Sequence, residues 1–87
     1  MESICKQIFH VVIFVDKEND SMHIVYCLNP ANCWQMKNPR YALLYHQSFD
    51  SMMEALGHKL LLEELSASSL VALIEETNPH YMDLKES

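Results

Sequence analysis

Residues Tyr41–Leu65 read YALLYHQSFDSMMEALGHKLLLEEL, and the switch inside this stretch decides the fold. Tyr41 to Phe49 is aromatic, aliphatic and β-compatible, the composition of a strand. Ser51 with Glu54 three residues on is the S-x-x-E pattern of a capping box, so a helix is expected over Ser51–Leu65. The hydrophobic period changes from two to about 3.6 at Ser51. In the helix Met52, Ala55, Leu56, Leu60 and Leu62 cover a wide apolar arc, which predicts packing against a sheet.

Upstream, Ile8–Val15 is almost entirely β-branched or aromatic, the signature of a strand buried on both faces and central in its sheet. Asp16–Ser21 is a polar turn, and Met22–Cys27 resumes the strand pattern, which makes an antiparallel hairpin. Asn29-Pro30 is a helix start, with proline at the first helical position, where its missing N–H costs nothing. A short helix of two turns is expected over Ala31–Lys37, ending before Asn38-Pro39. Downstream, Ser66–Ser69 offers new caps, and Leu70, Leu73 and Ile74 sit at helical spacing up to Asn78-Pro79. Tyr81 and Leu84 are placed to fold back on the core, and Lys85-Glu86-Ser87 is expected to fray.

The expected fold class is therefore α+β, with a small three-stranded, mainly antiparallel sheet flanked by three helices. Eighty-seven residues suit one domain with one modest core, spanning residues 1–87 with its centre at about 8–84.

The formal charge is −6, carried mostly after Asp50 by Glu54, Glu63, Glu64, Glu75, Glu76, Asp83 and Glu86. Nucleic-acid binding by counterion release needs a basic footprint, and Arg40 with five lysines does not supply one. Three cysteines, Cys5, Cys27 and Cys33, show no C-x-x-C spacing and fit reduced thiols better than a disulfide framework. The first ten residues lack the n- and h-regions of a signal peptide, and no apolar run approaches about 18 residues. A cytoplasmic, membrane-free protein is expected, with delivery by a specialised secretion route left open.

Tyr41-Ala42-Leu43-Leu44-Tyr45, Phe49-Asp50-Ser51, Glu54-Ala55-Leu56 and the ending Leu73-Ile74-Glu75-Glu76-Thr77-Asn78-Pro79-His80-Tyr81-Met82-Asp83-Leu84 together resemble the GIY-YIG domain. The likeness is to its small stand-alone bacterial form, related to the incision domain of excision-repair endonucleases, and covers residues 8 to 84. Active members of that family cut DNA with two hairpin tyrosines, an arginine on the short helix and a metal-holding glutamate on the next helix. Phenols can orient a nucleophile, a guanidinium offsets phosphate charge and a carboxylate anchors a hard cation.

Carried onto this chain, the first tyrosine falls at Val12, the second at His23, the arginine at or near Cys33 and the glutamate at Lys59. An ammonium at the last position puts positive charge where a cation should sit. The resemblance therefore implies a catalytically inactive GIY-YIG-like domain, without cofactor or metal, that acts as a protein-binding or regulatory module. His10, His23, Trp34 and Lys59 are its candidate groove residues. One alternative is an acidic mimic of nucleic acid that inhibits a DNA-binding protein. Another is a divergent metal-dependent endonuclease with His23 as base. The expected partner is another protein, and a homodimer through a sheet edge or the groove remains open.

Other groupings have ordinary readings beside them. His10 with His23 across the hairpin, and Cys27 with Cys33 beside the short helix, invite a zinc hypothesis, but no recurring zinc spacing is present. Cys33 with His23 could form a nucleophile pair, although nothing in the sequence activates the thiol. Trp34, Met36, Met52 and Met53 could form an apolar patch or fill the core, with Trp34 expected to be partly exposed.

Overall fold

The structure is a computed structural model and describes residues 7–86. Three strands form one antiparallel sheet: β1 (Phe9–Asp16), β2 (Met22–Cys27) and β3 (Tyr41–Phe49), in the order β2-β1-β3. β1 is central, as its run of β-branched and aromatic residues implies, and Val11, Val12, Ile13 and Phe14 are fully buried on alternating faces. Two helices follow, α1 (Met52–Glu64) and α2 (Ala67–Thr77).

The hairpin loop closes with Asp16 N–H donating to the Ser21 carbonyl at 2.9 Å and Asp20 N–H to the Asp16 carbonyl at 2.7 Å. Asp20 takes the left-handed conformation, φ 62°, which a short polar side chain tolerates. α1 is capped by Ser51, whose hydroxyl accepts the Glu54 N–H at 3.4 Å. α2 is capped in the same way by Ser66, whose hydroxyl accepts the Ser69 N–H at 3.2 Å.

The expected third helix over Ala31–Lys37 is instead two 3₁₀ turns, Pro30–Asn32 and Trp34–Lys37. Asn29 does cap the first turn, accepting the Ala31 N–H at 3.1 Å. Cys33 then takes an extended conformation, φ −70° and ψ 136°, and breaks the segment. Pro39 holds Asn38 extended at the other end, so the interval is too short to recover the cost of nucleating an α-helix. The break turns Cys33 onto the sheet, where it and Met36 pack against Val12, Phe14, Tyr41 and Leu43.

The sheet thus has two covered faces. On one, Val11, Ile13, Ala42, Leu44 and Tyr45 meet Ala55 and Leu62 of α1 and Leu70 and Ile74 of α2. On the other, Val12, Phe14, Tyr41 and Leu43 are covered by the 3₁₀ turns and Leu84. α1 corrects a second expectation. Only Ala55 and Leu62 are buried, while Met52 and Leu60 are half or more exposed, because a helix apolar on all sides cannot turn every side inward.

β3 carries a bulge that periodicity does not show. Ile13 opposes Tyr45 and Phe14 opposes Leu43, so Leu44 has no register partner. The slip moves Tyr45 onto the α1 face and His46 onto the opposite face. Asn78, 5% exposed, serves this bulge: its side-chain NH₂ donates to the Leu44 carbonyl at 3.2 Å and to the Met82 carbonyl at 2.8 Å. Its side-chain oxygen accepts the Met82 N–H at 2.9 Å.

The C-terminal segment is not frayed at Lys85. Leu84–Glu86 forms a 3₁₀ turn, Asp83 accepts the Leu43 N–H at 3.0 Å, and the Lys85 ammonium donates to the carbonyls of Asn38 at 3.2 Å and Tyr41 at 2.5 Å. No helix among the described residues is long and apolar enough to cross a membrane.

Candidate functional site

The face of the sheet opposite α1 holds three of the four positions onto which the resemblance maps a site, Val12, His23 and Cys33. Val12 is fully buried there as plain hydrocarbon, packed with Phe14, Tyr41 and Leu43. His23 opposes Phe14 in the register, and its ring meets the edge of Tyr41 at 5.1 Å. Its Nε2 lies 3.3 Å from the Ser21 hydroxyl. Cys33 lies on the same face, beyond Val25.

Lys59 is not with them. It rides on α1, the helix that covers the other face, and its ammonium donates to Glu63 at 2.6 Å one turn along.

The histidine and cysteine groupings also resolve differently from the expectation. The register places His10 opposite Cys27 and His23 opposite Phe14, so the two histidines do not face each other across the hairpin. His10 pairs instead with His46, which the bulge brought to this face: Nδ1 of one lies 2.9 Å from Nε2 of the other, and the rings stack at 5.1 Å. Burial, helped by the charge of His10, pushes the His46 pKa below its ordinary value.

Cys33 associates with Cys27 rather than with His23. Burial, then the hydrogen bond and proximity of Cys33, pushes the Cys27 thiol up to about 12, which leaves it a poor nucleophile. Cys5 lies outside the described residues. Among the described residues, no three histidine, cysteine or carboxylate side chains are grouped to hold a metal ion.

At the hairpin end of the same face, Arg40 grips Asp16 with two nitrogens, Nε to Oδ1 and Nη2 to Oδ2, both at 2.7 Å. This guanidinium hydrogen bond holds the Asp16 carboxyl below its ordinary range. The Arg40 guanidinium also lies 6.0 Å from the Tyr41 ring centre, and Trp34 meets Tyr41 edge-on at 5.0 Å. Trp34 is 58% exposed, in line with the partial exposure expected of it. The four-residue apolar patch divides: Trp34 and Met36 lie on this face, Met52 and Met53 on α1.

Sequence reasoning missed two further features. Tyr45 and His58 share a hydrogen bond of 2.9 Å between the phenol and Nε2, and burial raises the tyrosine pKa and lowers that of the histidine. Gln35, 5% exposed, lies beside a cleft of about 470 Å³ at the end of β2. The buried glutamine stands between apolar neighbours in Cys33-Trp34-Gln35-Met36, a hint that could have been weighed. Comparison with protein-family models, curated proteins and solved structures finds no match to this chain.

Proposed function

We propose that this chain is a catalytically silent GIY-YIG-like domain that works as a protein-binding or regulatory module. The observation that carries this reading is the state of the inherited positions. Val12, where a phenol would be needed, is sealed hydrocarbon, and Lys59, where a carboxylate would be needed, is an ammonium neutralised by Glu63. Metal-assisted phosphodiester cleavage needs the ligand itself and a group that handles a proton at the nucleophile. His23 could serve as a base on its own chemistry, but its neighbours are Ser21 and Tyr41 rather than a carboxylate.

The acidic-mimic reading gains less support. Regular phosphate-like spacing needs an uninterrupted row of free carboxylates, whereas Glu63 is bound by Lys59 and Glu75 accepts a hydrogen bond from Tyr81. The test is a nicking assay on supercoiled and branched DNA with magnesium or manganese. No cleavage above background is expected. Cleavage that disappears in His23→Ala would overturn the proposal.

A further inference from the structure

The bulge in β3 leaves one pair of side chains that neither fills the core nor closes a turn. His10 stands near the start of β1, and His46 follows the bulge in β3, 36 residues later in the chain. The register sets His10 opposite Ser48 and His46 opposite Val12, so the two rings rise from one face as diagonal neighbours. Counted from the Phe14–Leu43 pair, an unbroken ladder would set His46 opposite Val11, on the α1 face. Their meeting is therefore a product of the bulge.

Nδ1 of His10 lies 2.9 Å from Nε2 of His46, with the rings 23° from parallel. A single N–H fills that gap as a hydrogen bond. The same separation has a second meaning. Two imidazole nitrogens about 2.0–2.1 Å from one ion stand about 2.9 Å apart at a right angle and about 3.3 Å apart at the tetrahedral angle. The pair is spaced as two neighbouring ligands of a tetragonal or octahedral ion. Moving the bridging proton to the far nitrogen of its own ring leaves a lone pair on each facing nitrogen, with no change in charge. A turn of each ring by about 45°, within the broad outer torsion of histidine, brings both lone pairs onto one point.

The surroundings set the class of ion. Exposed Gln47 and Ser48 follow His46, and Cys27, across from His10 in β2, is engaged by Cys33. Among the described residues no carboxylate, thiol or third imidazole joins the pair to make a group of three. Mg²⁺ and Ca²⁺ take oxygen ligands, whereas imidazole suits the late first-row ions. His46 is exposed, so water reaches the other positions around an ion.

We propose that His10 and His46 form a two-imidazole binding site for a late first-row transition-metal ion, Cu²⁺ or Ni²⁺ in preference to Zn²⁺, with water in the remaining positions. This goes beyond the protein-binding reading and does not depend on it. An ion held there ties β1 to β3 just past the bulge, so the site exists only in the folded chain and its occupation stabilises that chain.

The probe is Ni²⁺, which leaves thiols unoxidised, titrated into the full reduced chain at about pH 7.5, where imidazole is mostly neutral. The readouts are calorimetry, the imidazole resonances by NMR and the melting temperature. One ion per chain is expected, with paramagnetic broadening centred on His10 and His46 and a melting temperature that rises with Ni²⁺. His10→Ala and His46→Ala should each weaken binding at least about tenfold, since a residue that merely orients a metal ligand is already worth about 10–100-fold. Neither position is in the core, and circular dichroism checks that both variants fold. His23→Ala, and the chain with its three cysteines replaced by serine, should bind Ni²⁺ as the parent does. In that cysteine-free chain Cu²⁺ should bind more tightly than Ni²⁺, and Zn²⁺ more weakly.

The inference is overturned by a failure to saturate at about 1 mM Ni²⁺. Undiminished binding in either alanine variant, or broadening centred on Cys27 and Cys33 or on His23, would overturn it too. Zn²⁺ binding more tightly than Ni²⁺ in the cysteine-free chain would refute the right-angle geometry on which the choice of ion rests.

Discussion

Replacing Asn78 by alanine tests how this fold holds its irregular strand. The Asn78 side chain makes three hydrogen bonds, one to the Leu44 carbonyl at the bulge and two to the backbone of Met82. Met82 is 65% exposed, so water can replace the two bonds made there at little loss. Leu44 is 8% exposed, and water does not reach it as readily. Removing one partner of a buried hydrogen bond and leaving the carbonyl unsatisfied costs about 1–3 kcal/mol, so a loss of about that size is expected. For a domain of this size that lowers the melting temperature by about 5–20 °C. Asn78→Asp should be worse than alanine, because it removes both donors and aims a carboxylate oxygen at two carbonyls. The assay is thermal and urea unfolding by circular dichroism, with amide exchange along Tyr41–Phe49 as a local readout. Alanine within about 0.5 kcal/mol of the parent, or aspartate equal to it, would refute the link between this amide and the bulge.

Leu62→Ala, at a site 1% exposed, should cost about 2–5 kcal/mol, whereas Leu60→Ser, at a site 61% exposed, should stay within about 0.5 kcal/mol. Equal losses in urea unfolding would mean that α1 is rotated from the orientation described. His46 and His58 both have folded pKa values below the ordinary 6.5, so the unfolded chain takes up protons first as pH falls. Their contribution is complete above about pH 6.5 and is lost on acidification, so the melting temperature should fall between about pH 7 and 5, with a shallower slope in His58→Gln. With the thiol pushed from 9.0 to about 12, Cys27 should be alkylated by iodoacetamide at pH 8 at least about a hundredfold more slowly in the native chain than in urea, measured by peptide mass mapping. A rate equal to that of the unfolded chain would place Cys27 in a different environment.

The parts of the fold that depend on local chemistry were legible. A continuous run of β-branched and aromatic residues such as Val11–Val15 favours a strand with two covered faces, and β1 is central. Ser51 and Ser66 mark helix starts because their hydroxyls accept orphan backbone N–H groups, and both do so. What stayed hidden depends on tertiary competition. Periodicity could not choose which side of α1 faces the sheet, since Met53 and Leu61 carry the apolar arc of Met52, Leu56, Leu60 and Leu62 around the helix and leave no purely polar side to exclude. Nor could it reveal the bulge, because YALLY has no residue type that demands one, and without the bulge His46 cannot be placed beside His10. The short helix failed for a countable reason: Pro30 and Pro39 leave too few residues between them once Cys33 turns to the core.

The candidate site was legible in a different sense, as a set of positions whose side chains could be named before their surroundings were known. Val12, His23 and Cys33 do share a face: the register of the hairpin puts the first two there, and the break between the 3₁₀ turns brings Cys33 to them. Lys59 belongs to a helix on the other face, and its ion pair with Glu63 is a local i,i+4 contact that any exposed helix can make. By contrast, Asn78 and Asp83 bind the β3 backbone and stand in the C-terminal segment that carries the family resemblance. Selection for folding can hold those two polar residues in place whether or not any chemistry takes place at Val12 or Lys59.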